Sequence, residues 1–200
     1  MTTTATPATY GLDTSIPRFS VARYQKMIEA GILTPEDKVE LLENYVVLKM
    51  PRNPPHDGTI QLITETLAPA IPITWRLRVQ LTVVFTDSQP EPDFAVVRGD
   101  ARTYVTRHPT SAEVGLLVEV ANSSLLRDQR DKARIYARGG IPGYWIVNLV
   151  DQRIEVYGQP SGPAAVPAYG AFQTYQPGDA VPLVLDGNTV GTIPVVDLLP

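Results

Sequence analysis

The chain has 200 residues, 44% of them hydrophobic, a size that buries a core without staples and suits one domain. It has no cysteine, which excludes disulfides and thiolate metal sites, and no apolar run long enough to span a membrane. A formal net charge of −4 argues against broad, nonspecific nucleic-acid affinity but leaves room for a local basic patch.

In chain order, residues 1–17 are small, polar and Thr-rich and are expected to form a mobile tail ahead of one domain over 18–200. The start lacks a basic-then-apolar leader, so a cytoplasmic location is expected. Ser20 can cap a short helix through Ala30, with Val21, Tyr24 and Ile28 on one face and Gly31 as its stop. Val39 to Met50 reads as a hairpin turning at Glu43-Asn44, with Glu40 in its first strand. A helix is expected from Pro54 to about Leu67, with His56 near its start and Pro69 and Pro72 closing it.

Strands follow. Arg76, Arg78 and Gln80 alternate with Leu77, Val79 and Leu81, the period of a strand with one wet face. Val83-Val84-Phe85 is expected to continue that strand or begin its neighbour. Pro90 and Pro92 bring Asp93 to the first position of the short apolar strand that continues as Phe94-Ala95-Val96-Val97, and residues 99–113 form a polar connection. Gly115 to Ala121 (GLLVEVA) reads as a buried strand carrying Glu119. A charge there needs a cation, a metal or a proton.

Ser124 to Arg138 reads as a helix stopped by Gly139-Gly140, with Asp128, Lys132, Ile135 and Tyr136 on one face. Ile135 and Tyr136 make this the face that packs on the sheet, which turns Lys132 toward Glu119. The plainer reading is an Asp128–Lys132 surface pair. Arg130, Arg134 and Arg138 recur on roughly the opposite side, as a solvated face or a phosphate-contacting one. Tyr144 to Val147 and Arg153 to Tyr157 read as successive strands, and residues 158–170 as a loop. Phe172–Tyr175, Val181–Leu185 and Thr189–Val196 are expected to add peripheral strands.

Asp93 and Glu119 can converge if their strands are neighbours, and two such carboxylates call for a divalent cation with hard oxygen ligands, Mg²⁺ or Mn²⁺. A lysine beside them can stabilise developing negative charge or orient a water. His56 reads as a cap or surface residue, His108 as a loop residue, Tyr136 as a core aromatic, and Glu91 as a loop carboxylate. Arg76 and Arg78 share one strand face that either points into the cleft or away from it.

The blocks VELLENYVVLKM, PEPDFAVV, LLVEVANSS, the trio Asp128, Lys132 and Tyr136, and GGIPGYWIV resemble the PD-(D/E)XK nuclease superfamily, and more narrowly the Uma-type endonuclease family. The similarity spans about residues 18 to 157. It implies an α/β fold with a restriction endonuclease-like core: a mixed central sheet flanked by helices, with extra peripheral strands at both ends. It also implies hydrolysis of DNA phosphodiesters with Mg²⁺ or Mn²⁺. On this resemblance Asp93, Glu119 and Lys132 are catalytic, and Asp93, Glu119, the Val120 carbonyl and Glu40 hold metal. Arg76, Arg78, Arg130 and Arg134 become DNA-contact candidates, Asp128 and Tyr136 support the site, and a homodimer is expected. The superfamily's lysine two positions after the glutamate is missing, since Ala121 stands there, and the Uma-type pattern supplies Lys132 from the following helix instead. A binding module that keeps the fold without turnover is the alternative, as is a hydrolase of small phosphoesters.

Overall fold

The computed structural model describes residues 16–200, so the expectation for the N-terminal tail lies almost wholly outside the described residues. The apolar run around Glu119 becomes strand β5 of a six-stranded sheet, and every residue from Val114 to Ala121 is buried. Around it, in spatial order, stand β3 (Trp75–Val79), β4 (Phe94–Arg98), β5, β6 (Gly143–Asn148), β7 (Arg153–Pro160) and β8 (Tyr169–Tyr175). β5 and β6 run parallel and the other neighbours antiparallel. A parallel pair needs a long crossover, which the helical segment 125–138 supplies.

Two hydrophobic clusters cover the two faces. On one, α2 (Pro54–Ala70) contributes Ile63 and Leu67, and the outlying pair β9 (Ala180–Leu185) and β10 (Asn188–Pro194) contributes Val181, Leu183 and Ile193. Trp75 packs here so closely on Gly115 that an added Cβ would stand 2.7 Å from its ring. On the other face lie Leu42, Val83, Phe85, Ala133, Ile135 and Tyr136. Helix α1 (Val21–Glu29) starts at the expected cap, with Ser20 Oγ accepting from the Arg23 N–H, but of its proposed apolar face only Tyr24 is buried, and Ile28 is exposed.

The hairpin forms as the sequence suggests, from β1 (Val39–Leu42) and β2 (Tyr45–Leu48), with Glu43 and Asn44 both at positive φ in its turn. It is docked from several sides. The Glu43 N–H donates to Ser88 Oγ, the Asn44 N–H to the Asp87 carbonyl, and Arg134 and Arg138 both bind the Glu43 carboxylate.

Three expectations fail locally. Val83–Phe85 does not form a strand; it runs irregularly, with Val83 and Phe85 buried as core anchors and Val84 bridging Thr110. Helix α2 continues past Pro69 to Ala70, so that proline sits inside its last turn rather than closing the helix. The supposed loop 158–170 shortens to 161–168, and β8 joins the central sheet beside β7 rather than the periphery.

Candidate metal and phosphate cleft

The β4–β5 register sets the site. Phe94 pairs with Val118, which brings the preceding Asp93 opposite Glu119 across two neighbouring antiparallel strands. The Val120 N–H donates to Asp93 Oδ2 at 2.9 Å. In an extended strand the N–H and C=O of one residue point the same way, so the Val120 carbonyl also faces the Asp93 side.

The crossover supplies the cation. A short helix α3 (Leu125–Arg127) runs directly into a π turn (Asp128–Lys132) and then α4 (Ala133–Arg138). Asp128, Lys132, Ile135 and Tyr136 are all buried, as their shared face predicts. Lys132 Nζ stands 2.9 Å from Glu119 Oε1 and 3.8 Å from Asp128 Oδ1. Tyr136 donates its hydroxyl to the same Glu119 oxygen at 2.6 Å. The plainer reading of a surface Asp128–Lys132 pair is therefore wrong, since the lysine is turned inward onto a buried carboxylate.

Glu40 comes from β1 and is 3% exposed, with Oε2 accepting from the Glu91 N–H at 3.3 Å. Glu91 is a wall of the cleft, paired with Lys49 at 2.5 Å. His56, expected to cap or lie on the surface, instead turns its ring inward. Its Nε2 is 3.2 Å from Asp93 Oδ2, and its side chain is 13% exposed. Nothing local in the sequence marks it, because only the packing of α2 against the sheet brings its first turn to the start of β4. A hydrogen bond from Gln80 Nε2 to Asp93 Oδ1 at 3.3 Å completes the surroundings of that carboxylate.

Electrostatically, four buried carboxylates (Glu40, Asp93, Glu119 and Asp128) face the buried ammonium of Lys132. Burial alone would lower the lysine, but Glu119, Glu40, Asp128 and Asp93 outweigh it and hold it charged. Burial pushes Glu119 and Asp128 upward, with Lys132 opposing. These two tendencies compete for one proton. Donation to Glu119 Oε1 from both the ammonium and the Tyr136 hydroxyl favours the ionised carboxylate beside a charged lysine. Asp93 goes the other way: burial would raise it, yet His56, Lys132 and the Val120 N–H leave it lowered.

The donor set fits a hard divalent cation in kind and in charge. Carboxylates outnumber the ammonium, and both oxygens of Asp128 are buried with no hydrogen-bond partner. Among the described residues no three His, Asp or Glu side chains are already drawn together as a chelate, and Lys132 is the cation between the carboxylates.

The arginine candidates lie elsewhere. Arg76 donates to the Ile73 and Trp75 carbonyls, and Arg78 stacks over Tyr104; neither lines the cleft. Arg134 is bound to Glu43, and Arg130 lies against Asp131. Besides Lys132 and His56, the basic residues that line the cleft among the described residues are Lys49, Arg52 and Arg127. His108 remains in the polar connection, away from this cleft. No described helix is long and apolar enough to cross a membrane.

The family model described as "Uma2: Putative restriction endonuclease" matches residues 21–189. Among solved structures, the chain is similar to a protein from Anabaena variabilis described as a putative nuclease belonging to DUF820. The two share 16% identity, the match covers 90% of this chain and 97% of that one, and the TM-score is 0.63. At that identity the likeness speaks for the fold. A search of the curated proteins finds no match.

Proposed function

The chain belongs to the Uma2 family, and on that premise we propose that it is a divalent-metal-dependent DNA endonuclease whose working residues are Asp93, Glu119 and Lys132. The observation that carries this reading is the Lys132 ammonium, 2.9 Å from Glu119 in a cleft where Asp93 stands opposite on the neighbouring strand. Asp93, Glu119, Glu40 and the Val120 carbonyl would hold Mg²⁺ or Mn²⁺. A bound ion supplies Lewis-acid charge at the phosphate and a water of lowered pKa.

The chain's own groups then have separate tasks. Lys132, held charged by its carboxylates, faces the negative charge that grows on the phosphoryl oxygens. Tyr136 fixes Glu119 through the 2.6 Å hydrogen bond, so the carboxylate keeps one orientation. Lys49, Arg52 and Arg127 border the cleft where a sugar–phosphate backbone would pass, and they replace Arg76 and Arg78 as the primary DNA contacts in this reading. Lys132 thus takes the role that the missing lysine after Glu119 has in the wider superfamily.

Plasmid nicking and calorimetric Mg²⁺ and Mn²⁺ uptake, on wild type, Asp93→Asn and Lys132→Met, test the reading. Asp93→Asn should lose both metal uptake and nicking. Lys132→Met should lose stability, since it leaves buried carboxylates without their counter-charge, yet still take up metal while nicking drops by about a hundredfold or more. A folded wild type that takes up neither ion would sink the nuclease reading, and uptake without any nicking would leave a binding module.

A further inference from the structure

His56 is the residue the carboxylate scheme leaves unused. It is the third residue of α2, after Pro54 and Pro55, and its backbone N–H is already satisfied by Asn53 Oδ1 at 3.1 Å. The ring is thus free of capping duty. Its Nδ1 lies 3.4 Å from Asp57 Oδ1, at the long end of a hydrogen bond, while Nε2 points to Asp93 in the cleft.

Resting on the metal site proposed above, we infer that His56 Nε2 is a direct ligand of the same ion as Asp93, and that this nitrogen tilts the site toward Mn²⁺ over Mg²⁺. Three observations combine. The 3.2 Å between Nε2 and Asp93 Oδ2 is close to the roughly 3 Å separating adjacent ligands on an octahedral ion with bonds of about 2.1 Å. An Nδ1–H donated to a carboxylate, here Asp57, is the arrangement that fixes the tautomer of metal-bound histidine and presents Nε2 to the ion. The imidazole is largely buried, lines the cleft, and comes from a different element than any of the oxygen ligands. Mg²⁺ takes oxygen almost exclusively, whereas imidazole suits borderline transition ions.

A hydrogen bond that merely steadies Asp93 would give the same distance, so the test must see the nitrogen itself. Full-length protein labelled with ¹⁵N-histidine, as wild type and His56→Gln, is loaded with Mn²⁺ and read by pulsed electron paramagnetic resonance. Mn²⁺ and Mg²⁺ affinities are measured in parallel by calorimetry. The wild type should show directly bound histidine nitrogen, lost in His56→Gln, with Mn²⁺ affinity falling about tenfold to a hundredfold and Mg²⁺ affinity changing far less. Mn²⁺ bound without histidine-nitrogen coupling, or an equal loss for both ions in the variant, overturns the inference and leaves the carboxylate site standing. A wild type that binds neither ion overturns both.

Discussion

Tyr136 packs its ring between Phe85 and Tyr144, at 5.7 and 5.0 Å between centroids, and sends its hydroxyl to Glu119. Replacing it by phenylalanine keeps the ring stack and removes only the donor. Glu119 is then a buried carboxylate with one partner fewer, so Tyr136→Phe should cost about 1–3 kcal/mol in urea unfolding. Nicking should fall as well, since Lys132 would be left as the main restraint on Glu119. Unchanged stability would mean that the hydroxyl is not needed to hold the carboxylate. Residue by residue, the sequence is legible where chemistry and local period coincide. Lys132 is found because a four-residue spacing from Asp128 places it on the face that Ile135 and Tyr136 bury. His56 is missed because its meaning depends on which strand its helix happens to start beside. Lys49, Arg52 and Arg127 are missed for the same reason, each looking like an ordinary surface cation until the hairpin, α2 and the crossover meet.

Among the elements, the crossover is the one whose form matters most and shows least in the sequence. Residues four apart stay on nearly the same side of an α-helix or a slightly wider π turn, so periodicity reads Lys132 correctly without revealing the turn. The turn is pinned from the far side by Gln129, whose Nε2 donates to both oxygens of Glu155 at 3.0 and 2.9 Å. Glu155 also accepts from Asn148, Arg153 and Tyr157. Gln129→Ala therefore leaves that carboxylate well supplied and should cost only about 1 kcal/mol. It should still loosen the turn that aims Lys132. Since misplacement by about 1 Å can cost about a hundredfold, nicking should fall at least tenfold while metal affinity holds. Loss of metal affinity in step with nicking would show that the turn serves only the ion. Burial would raise Glu155, but its donors overcome this and hold it low. Its contribution to stability is thus complete above the ordinary carboxylate range and is lost as pH falls through the lowered value, so the variant's deficit should shrink in acid. The same scale explains the misread strands. Val83–Phe85 has strand-like residues but spends them as separate anchors in the core, and Tyr169–Tyr175 is a largely exposed strand whose place beside β7 no local pattern encodes.

For the whole molecule, the cleft concentrates a negative balance that the chain already carries at −4 overall. Mutual repulsion among Glu40, Asp93, Glu119 and Asp128 is only partly relieved by Lys132, so the native state should gain from a divalent ion that the unfolded chain binds poorly. At about a hundred times the dissociation constant, a ligand specific to the native state adds about 2.7 kcal/mol. For a chain of this size each kcal/mol moves the melting temperature by about 2–4 °C, so Mn²⁺ should raise it by about 5–10 °C. Sodium chloride at matched ionic strength provides the control, because screening relieves repulsion without occupying a site. Glu119→Gln should already melt differently without metal, having lost one of the repelling charges, and should respond far less to Mn²⁺. An equal rise with sodium chloride would mean that the carboxylates are merely screened. A rise specific to the divalent ion and absent in Glu119→Gln would mean that the acidic cleft is a site shaped by charge to be neutralised, so that DNA, itself an anion, can approach it only once the ion is bound.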